Sequence, residues 1–372
     1  MAAVRGHPAG GVAGSAGRVG RMMVEEPREC DVAIIGAGIA GLCAALTLAQ
    51  SRLKVVIVDK ARGVGGRMAT RRLGGAVIDH GAQFFTVRGE AFAGIVGDAE
   101  ASGRVACWSR GFSRAAAADQ PVAPADDGHP RYRGATGMTD LPKFLAERLG
   151  GAGTSLCTTS RVTAIAIADG LVRLALDGGG DLVARGCVVT PPVPQALDLF
   201  AAGGLLSPSG GLIDTDTHRL LASVAYDPCF ALMLVLDRPS LVPPPGGVQF
   251  ESGPIAWLAD NRQKGISPVP ALTVHASGEF SRARFDDPPD EVMQALRVAA
   301  APWIGSATVV EQSLQRWKFA LPTAVLDVPF VAATTAPPIV CCGDAFAGPK
   351  VEGAAKSGMA ASRWLAGVLN PA

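Results

Sequence analysis

The chain has 372 residues, of which 48% are hydrophobic and 18% are charged, and this balance excludes disorder as its dominant state. The 34 basic residues nearly equal the 33 acidic ones, so bulk charge would attract neither nucleic acid nor an anionic membrane. The apolar runs are shorter than the roughly 18 to 20 residues of a membrane-spanning helix. We therefore expect about two or three globular domains, no nucleic-acid partner and no membrane span.

The chain begins with a leader that is rich in Gly, Ala and Arg and has no acidic residue before position 25. Its many glycines disfavour the amphipathic helix of a mitochondrial transit peptide, which is the alternative interpretation. We predict that residues 1–28 are a disordered extension, or one created by a start codon placed too far upstream. Met22 or Met23 would then be the true start.

The first predicted strand, residues 30–35 (CDVAII), runs directly into a glycine motif, residues 36–41 (GAGIAG). Gly36 permits a tight turn, Gly38 lets a pyrophosphate approach the backbone, and Gly41 lets the following helix pack against the strand. The amides at the start of that helix would face the phosphates. This order of strand, turn and helix favours a dinucleotide site.

A second predicted strand, residues 54–58, ends on Asp59, which lies 23 residues after Gly36. An acid at this offset accepts hydrogen bonds from ribose hydroxyls in dinucleotide-binding folds. A lone GxGxxG motif is weak, but strand, helix, strand and acid in this order strengthen the prediction.

The next segment, residues 63–68 (GVGGRM), bears on which dinucleotide is bound. Lys60 and Arg62 beside the acid could indicate the 2′-phosphate of NADP. A glycine pair followed by Arg67 instead supplies a second close backbone approach and a fixed cation, which suits a diphosphate lying across two loops. We predict that the cofactor contacts here are Lys60, Gly66, Arg67 and Met68.

This fingerprint resembles that of the flavin amine-oxidase superfamily, in which GxGxxG and an acid are followed by GGR. Four later segments narrow the similarity to the renalase-like branch, and the resemblance spans roughly residues 29–370. Those segments are residues 78–85 (IDHGAQFF), 188–195 (VVTPPVPQ), 315–319 (QRWKF) and 342–346 (CGDAF). The resemblance implies an FAD-dependent oxidoreductase.

Near the C-terminus, a short predicted strand is followed by Gly343 and Asp344, and Val351 and Gly353 open an Ala-rich helix. The resemblance implies that Asp344 meets the ribityl or pyrophosphate part of FAD, although it could also cap a loop helix. The helix N-terminus would point at the flavin pyrimidine edge, where a dipole of about half a positive charge stabilises the anion formed on reduction.

The resemblance further implies that Gln83 and the backbone of Val162 contact FAD. It also implies that the flavin is bound noncovalently, because residues 348–353 (GPKVEG) lack the cysteine that the covalent branch carries shortly before the last helix.

Because the fingerprint lies at both ends of the chain, we predict an α/β fold whose Rossmann-like FAD-binding domain is assembled from discontinuous segments. The substrate domain would be an inserted α+β unit with a mixed or antiparallel sheet. The FAD-binding segments are residues 29–100, 134–200 and 328–372, and the substrate-binding segments are residues 101–133 and 201–327.

Renalase-like enzymes are implied to oxidise dihydronicotinamide dinucleotides, especially the 2- and 6-dihydro isomers, and to pass the electrons to O2, forming hydrogen peroxide. No general base is evident in the sequence, and a dihydropyridine gives up hydride without one. For the substrate face we select Trp257, His275 and Trp317 as candidate catalytic residues, with core packing as the alternative for each. Lys318 is a weaker candidate for a water-holding lysine.

Two other functions remain open: an amine or other small-molecule oxidase or dehydrogenase, and a flavin-binding redox partner without turnover. The eight cysteines are dispersed, form no CxxC pair and have no histidine at ligand spacing. We predict reduced core cysteines, no metal site and a cytoplasmic location.

Overall fold

The fold is taken from a computed structural model, which describes residues 29–124, 126–150, 153–206, 211–346 and 348–370. The predicted extension at residues 1–28 lies outside these ranges. The helices are α1 (Ile39–Leu48), α2 (Glu90–Ala101), α3 (Asp140–Leu149), α4 (Val193–Ala202), α5 (Thr215–Ala222), α6 (Gly278–Ala283), α7 (Pro289–Ile304) and α8 (Lys350–Leu369).

The strands fall into two large sheets and two short hairpin-like pairs. In chain order they are β1 (Glu29–Ile35), β2 (Val55–Val58), β3 (Thr70–Leu73), β4 (Ala76–Asp79), β5 (Val105–Ser109), β6 (Ser113–Ala115), β7 (Arg131–Gly134), β8 (Thr154–Cys157), β9 (Val162–Ala168), β10 (Leu171–Leu176), β11 (Asp181–Val189), β12 (Tyr226–Leu236), β13 (Gly247–Phe250), β14 (Ile255–Asp260), β15 (Ala271–Ala276), β16 (Val309–Pro322), β17 (Val331–Thr335) and β18 (Pro338–Cys341).

The first large sheet has the order β17-β18-β11-β1-β2-β8, and β9 and β10 extend it beside β11. Strands β18, β11, β1, β2 and β8 are parallel. Their apolar runs are buried because helices cover both faces. Val32 and Ile34 pack towards α1, α3 and α8, whereas Ala33 and Ile35 pack towards α4 and α5.

The second large sheet has the order β16-β12-β15-β14-β13-β6 and is antiparallel except for the β13–β6 pair. One face packs against α7 through Leu232, Val274 and Leu296. The opposite face packs against the β3–β4 pair, where Ile78 contacts Met233. The predicted fold class, an α/β Rossmann-like unit with a second mixed sheet, is confirmed.

Gly246 and Gly247 are buried because their loop packs against Trp108, whose Nε1 donates to the Pro245 carbonyl at 2.8 Å. The prediction that the cysteines lie in the core was wrong for three of them: Cys107 is exposed, and Cys157 and Cys229 are only partly buried. The domain boundaries stay a prediction.

Candidate cofactor and substrate site

The turn after β1 has the backbone conformation that its glycines predicted. Gly36 has φ +104°, which disfavours any residue with a Cβ atom, and a Cβ there would overlap the Thr190 hydroxyl. A Cβ on Gly41 would overlap the Gly36 carbonyl. Helix α1 therefore packs on the turn at a distance that only glycine allows.

The two glycine loops lie side by side. The Gly65 amide donates to the Ala37 carbonyl at 2.9 Å, and Gly38 and Gly65 form a parallel β-bridge. A Cβ on Gly66 would lie 3.5 Å from the Gly38 Cα, whereas a Cβ on Gly38 would meet nothing within 4 Å. Met68 is buried beneath this pair of loops. The space at Gly38 is a cradle of the kind that a pyrophosphate requires.

Asp59 organises the region where we expect the adenosine half of the cofactor. Its carboxylate accepts the Ala37 amide at 2.6 Å and the Ala61 amide at 2.7 Å. Its carbonyl accepts the Ser160 amide at 2.9 Å, which brings the start of β9, Val162, to the same corner. Lys60, which the sequence predicted as a cofactor contact, is exposed.

Two stretches that are far apart in sequence meet at Asp344. The Cys342 amide donates to the Val189 carbonyl at 3.0 Å, so the end of β18 lies beside the end of β11 and, next to that, β1. Arg67 Nη1 and Nη2 bind the two Asp344 carboxylate oxygens at 2.6 and 2.7 Å across 277 positions. The sequence predicted both residues as cofactor contacts, and the structure pairs them with each other.

Tyr226 and Glu352 belong to the same region, and the sequence did not select them as site residues. The Tyr226 hydroxyl lies 3.4 Å from Asp344 Oδ1, and burial raises the Tyr226 pKa. Glu352, in the first turn of α8 between Val351 and Gly353, accepts the Gly89 amide at 2.7 Å. Val351, Glu352 and Gly353 are all buried, whereas Lys350, which begins the helix, is exposed.

Two of the three predicted catalytic residues, His275 and Trp317, converge on one carbonyl group. Trp317 Nε1 donates to the His80 carbonyl at 2.9 Å, and His275 Nε2 lies 3.3 Å from the same oxygen. Because a carbonyl only accepts, Nε2 carries the proton of a neutral His275. The His80 and Trp317 rings stack at 5.5 Å. The three selected side chains, Trp257, His275 and Trp317, lie on one face of the second sheet.

Both histidines are uncharged at neutral pH. Burial lowers the pKa of His80 to about 4, and the positive charge of Arg71 adds to this shift. Burial also lowers the pKa of His275 to about 4, against the hydrogen bond to His80. His80 Nδ1 is buried without a partner among the described residues.

Trp257 lies in an aromatic cluster formed with Phe84, Trp108 and Phe112. Its ring centroid is 5.5 Å from that of Phe84 and 4.9 Å from that of Phe112. Its Nε1 is buried and has no hydrogen-bond partner in the described ranges. Gln83, one position before Phe84, donates through Nε2 to the Asp79 carbonyl at 2.7 Å, while its Oε1 is likewise buried without a partner.

Sequence reasoning missed the buried ion pair between Asp79 and Lys264. Lys264 Nζ lies 2.6 Å from Asp79 Oδ2, both side chains are 0% exposed, and burial lowers the lysine pKa. Lys264 Nζ also lies 4.9 Å from the Trp108 ring centroid. Asp79 stands in the IDHGAQFF segment, which was a usable signal, whereas nothing in the sequence marks Lys264. Lys318, the weaker sequence candidate, is exposed.

These residues fit a flavin dinucleotide better than a metal. The cradle at Gly38, the acid at Asp59 and the unpartnered Gln83 oxygen are the features on which that fit rests. Within the described ranges, no three His, Cys, Asp or Glu side chains are grouped to hold a metal ion. None of the helices there is both long and apolar enough to cross a membrane.

Comparison with known families decides the relationship. Residues 34–96 match the model of the NAD(P)-binding Rossmann-like domain, and residues 88–365 match that of the flavin containing amine oxidoreductases. The second match covers well over half of the chain. The chain belongs to the flavin-containing amine oxidoreductase family. Membership of this oxidoreductase family implies a flavin cofactor, which agrees with the geometry at Gly38 and Asp59.

Individual relatives are distant or short matches. A hydroxyneurosporene desaturase of Rubrivivax gelatinosus is 47% identical over 66 residues, which are 18% of this chain and only 13% of the desaturase. A candidate protoporphyrinogen oxidase from Exiguobacterium sp. 255-15 has a TM-score of 0.70 at 14% identity, covering 91% of this chain and 99% of that one. Cyclohexylamine oxidase from Brevibacterium oxydans IH-35A has a TM-score of 0.68 at 14% identity, covering 91% and 98%. At these identities the two structures share the fold.

Proposed function

We propose that this amine oxidoreductase family member is renalase-like. It binds FAD noncovalently and oxidises dihydronicotinamide dinucleotides in the cytoplasm, with O2 as acceptor and hydrogen peroxide as product. The observation that carries this proposal is the aromatic face of the second sheet, formed by Trp257, His275 and Trp317, with His80 stacked on Trp317. These four rings carry no charge at neutral pH.

The chain's own residues would hold FAD at three places. The amides of the two glycine loops and the start of α1 would bind the pyrophosphate, and Asp59 would accept hydrogen bonds from the adenosine ribose. Arg67, Asp344 and the first turn of α8 would surround the rest of the cofactor. Bound FAD would supply the acceptor for a hydride.

The substrate face suits a ring that becomes positively charged as it gives up hydride. Neutral His80 and His275 do not repel that charge, and the aromatic faces of Trp257 and Trp317 attract it. His275 Nε2 and Trp317 Nε1 both donate to the His80 carbonyl, and these hydrogen bonds fix the orientation of the two rings. No side chain is required to remove a proton from the substrate.

The principal alternative is oxidation of a primary amine. An ammonium group would call for a free carboxylate beside the aromatic face. The carboxylates of Asp79 and Asp344 are already engaged, because Asp79 is paired with Lys264 and Asp344 is paired with Arg67. This pairing favours a dihydronicotinamide over a cationic amine.

An anaerobic titration tests the proposal. Purified holoenzyme is mixed with 6-dihydro-NAD, 2-dihydro-NAD, ordinary NADH, putrescine and cyclohexylamine, and bleaching of the visible flavin absorbance is followed. We expect the isomeric dihydronicotinamides to bleach the flavin fastest, and admission of air to restore it with formation of hydrogen peroxide.

Asp59→Ala is the cofactor control, because loss of the ribose hydrogen bonds should weaken FAD binding by about 1.5–3 kcal/mol. Bleaching by an amine but by no dihydronicotinamide would overturn the proposal in favour of amine oxidation. A reduced flavin that reacts with neither O2 nor quinones would instead indicate a redox partner without turnover.

A further inference from the structure

Arg71 is a cation held in place by uncharged groups. It lies on β3 opposite Ile78, on the side of the β3–β4 pair that faces the second sheet. Its Nη1 donates to Ser313 Oγ at 2.9 Å and its Nη2 donates to Gln315 Oε1 at 3.0 Å, both on strand β16. No carboxylate in the described ranges forms an ion pair with it.

Three residues, Arg71, His80 and Arg67, hydrogen-bond strand β16 in order along its length. Arg71 binds Ser313 and Gln315, the His80 carbonyl accepts the Trp317 indole, and Arg67 Nη1 donates to the Phe319 carbonyl at 3.2 Å. The candidate substrate ring site at Trp317 is therefore flanked by two arginines. Arg67 is paired with Asp344 on one flank, whereas Arg71 on the other flank is hydrogen-bonded to the uncharged Ser313 and Gln315.

The Arg71 guanidinium is oriented in advance to bind an anion. Two of its N–H groups are fixed by neutral acceptors, so the side chain is oriented in advance and loses little conformational freedom on binding. Arg71 is partly exposed and contacts β16, which is the edge strand of its sheet, so a ligand can reach the guanidinium from solvent. Planar N–H pairs of arginine match phosphate oxygens, which form charge-assisted hydrogen bonds to them.

We propose that Arg71 is a binding subsite for a phosphate group of the substrate, and that it sets a preference for dinucleotides over dihydronicotinamides without phosphate. The assignment rests on the proposed function, since it places the substrate ring beside Trp317. The flank that Arg67 and Asp344 occupy serves FAD, and the Arg71 flank serves the substrate.

The test compares a substrate that carries pyrophosphate with one that does not. The reductive half-reaction of the holoenzyme is measured with 6-dihydro-NAD and with 1-methyl-1,6-dihydronicotinamide, for the wild type, Arg71→Gln and Arg71→Lys. Glutamine removes the charge and keeps a polar amide that can donate hydrogen bonds. For Arg71→Gln we expect the Kd of 6-dihydro-NAD to rise on the order of 10-fold, with Arg71→Lys in between, and the Kd of the methyl compound to stay unchanged.

Arg72→Gln is the matched control, because Arg72 is the next residue on the same strand and is exposed. Its substitution removes the same charge. It should leave both Kd values within twofold of wild type. Equal weakening of both compounds by Arg71→Gln would overturn the phosphate assignment, as would equal effects of Arg71→Gln and Arg72→Gln.

A second readout separates this inference from the proposed function. Binding of NAD⁺ to the oxidised holoenzyme, and its displacement by inorganic pyrophosphate, are measured by calorimetry. Weaker NAD⁺ binding in Arg71→Gln supports the subsite even if no dihydronicotinamide reduces the flavin, a result that would remove the proposed function alone. Unchanged NAD⁺ binding in Arg71→Gln overturns the subsite whatever the substrate.

Discussion

Asp79 joins the two halves of the molecule through its side chain and its backbone. Its carboxylate accepts Thr70 Oγ1 at 2.5 Å, the Met138 amide at 2.8 Å and Lys264 Nζ at 2.6 Å. Its carbonyl accepts Thr273 Oγ1 at 2.7 Å from the second sheet. Both carboxylate oxygens of this buried anion are therefore hydrogen-bonded, and one of them is paired with a cation, which is the condition under which a buried charge is tolerated.

Removing one partner of the Asp79–Lys264 ion pair should strongly destabilise the protein. We expect Lys264→Met to lower the free energy of unfolding by about 3–5 kcal/mol, because Asp79 is left as an uncompensated buried charge. The double variant Asp79→Asn/Lys264→Met should recover a large part of that loss. Urea unfolding followed by fluorescence measures both.

Arg238→Met is the matched control for an exposed pair. Arg238 bonds Asp237 at 3.2 Å at the surface, and we expect its loss to change stability by less than about 1 kcal/mol. A similar effect of Lys264→Met and Arg238→Met would contradict the role given to the buried pair.

Among the helices, α1 and α8 show how the two ends of the chain are brought together. A Cβ on Gly358, in the middle of α8, would overlap the Ala40 carbonyl of α1. The glycine motif at the N-terminal end and the Ala-rich helix at the C-terminal end therefore pack backbone against backbone. This close approach places the first turn of α8 in the predicted FAD-binding part of the site.

One substitution in α8 should weaken this packing and another should not. We expect Gly358→Ala to destabilise the protein by about 1–3 kcal/mol through overpacking, and to reduce FAD retention. Gly367→Ala in the same helix meets nothing within 4 Å, so it should be neutral or stabilising by up to about 1 kcal/mol. Thermal unfolding and flavin content of the two variants distinguish these outcomes. Equal thermal stability of the two variants would show that α1 and α8 can move apart without loss of stability.

For the molecule as a whole, the β3–β4 pair and the second large sheet meet over uncharged histidines. His80 follows β4 in the cofactor half, and His275 stands on β15 in the second sheet. Both have a folded-state pKa of about 4, well below the ordinary value of about 6.5. Below pH 6.5 the unfolded chain therefore binds protons that the folded protein does not.

Stability should consequently fall as the pH falls from about 6.5 to about 4. The sign follows from linkage: the folded form lacks protons that the unfolded form takes up, so acid favours unfolding. Each histidine contributes a slope of at most about 1.4 kcal/mol per pH unit in that window. Unfolding measured between pH 4 and 8 should show this loss, and His80→Gln/His275→Gln should flatten it. His218→Gln, an exposed histidine on α5, should leave the slope unchanged.

The sequence by itself determined the glycine turn, the helix behind it and the acid at Asp59. These features depend on backbone freedom and on spacing within one strand-helix-strand unit, and both are readable from the order of residues. The Ala-rich helix after Gly343 was readable for the same reason. The close packing at Gly41 also follows from that local geometry.

Only the tertiary structure decided which charged groups face one another. Arg67 bonds Asp344 across 277 positions, Lys264 bonds Asp79 across 185, and Arg71 bonds Ser313 across 242. These partners depend on the order of strands in each sheet and on how the β3–β4 pair lies on the second sheet. The periodicity of a strand shows that a side chain lies on one face, but it does not specify which distant strand covers that face.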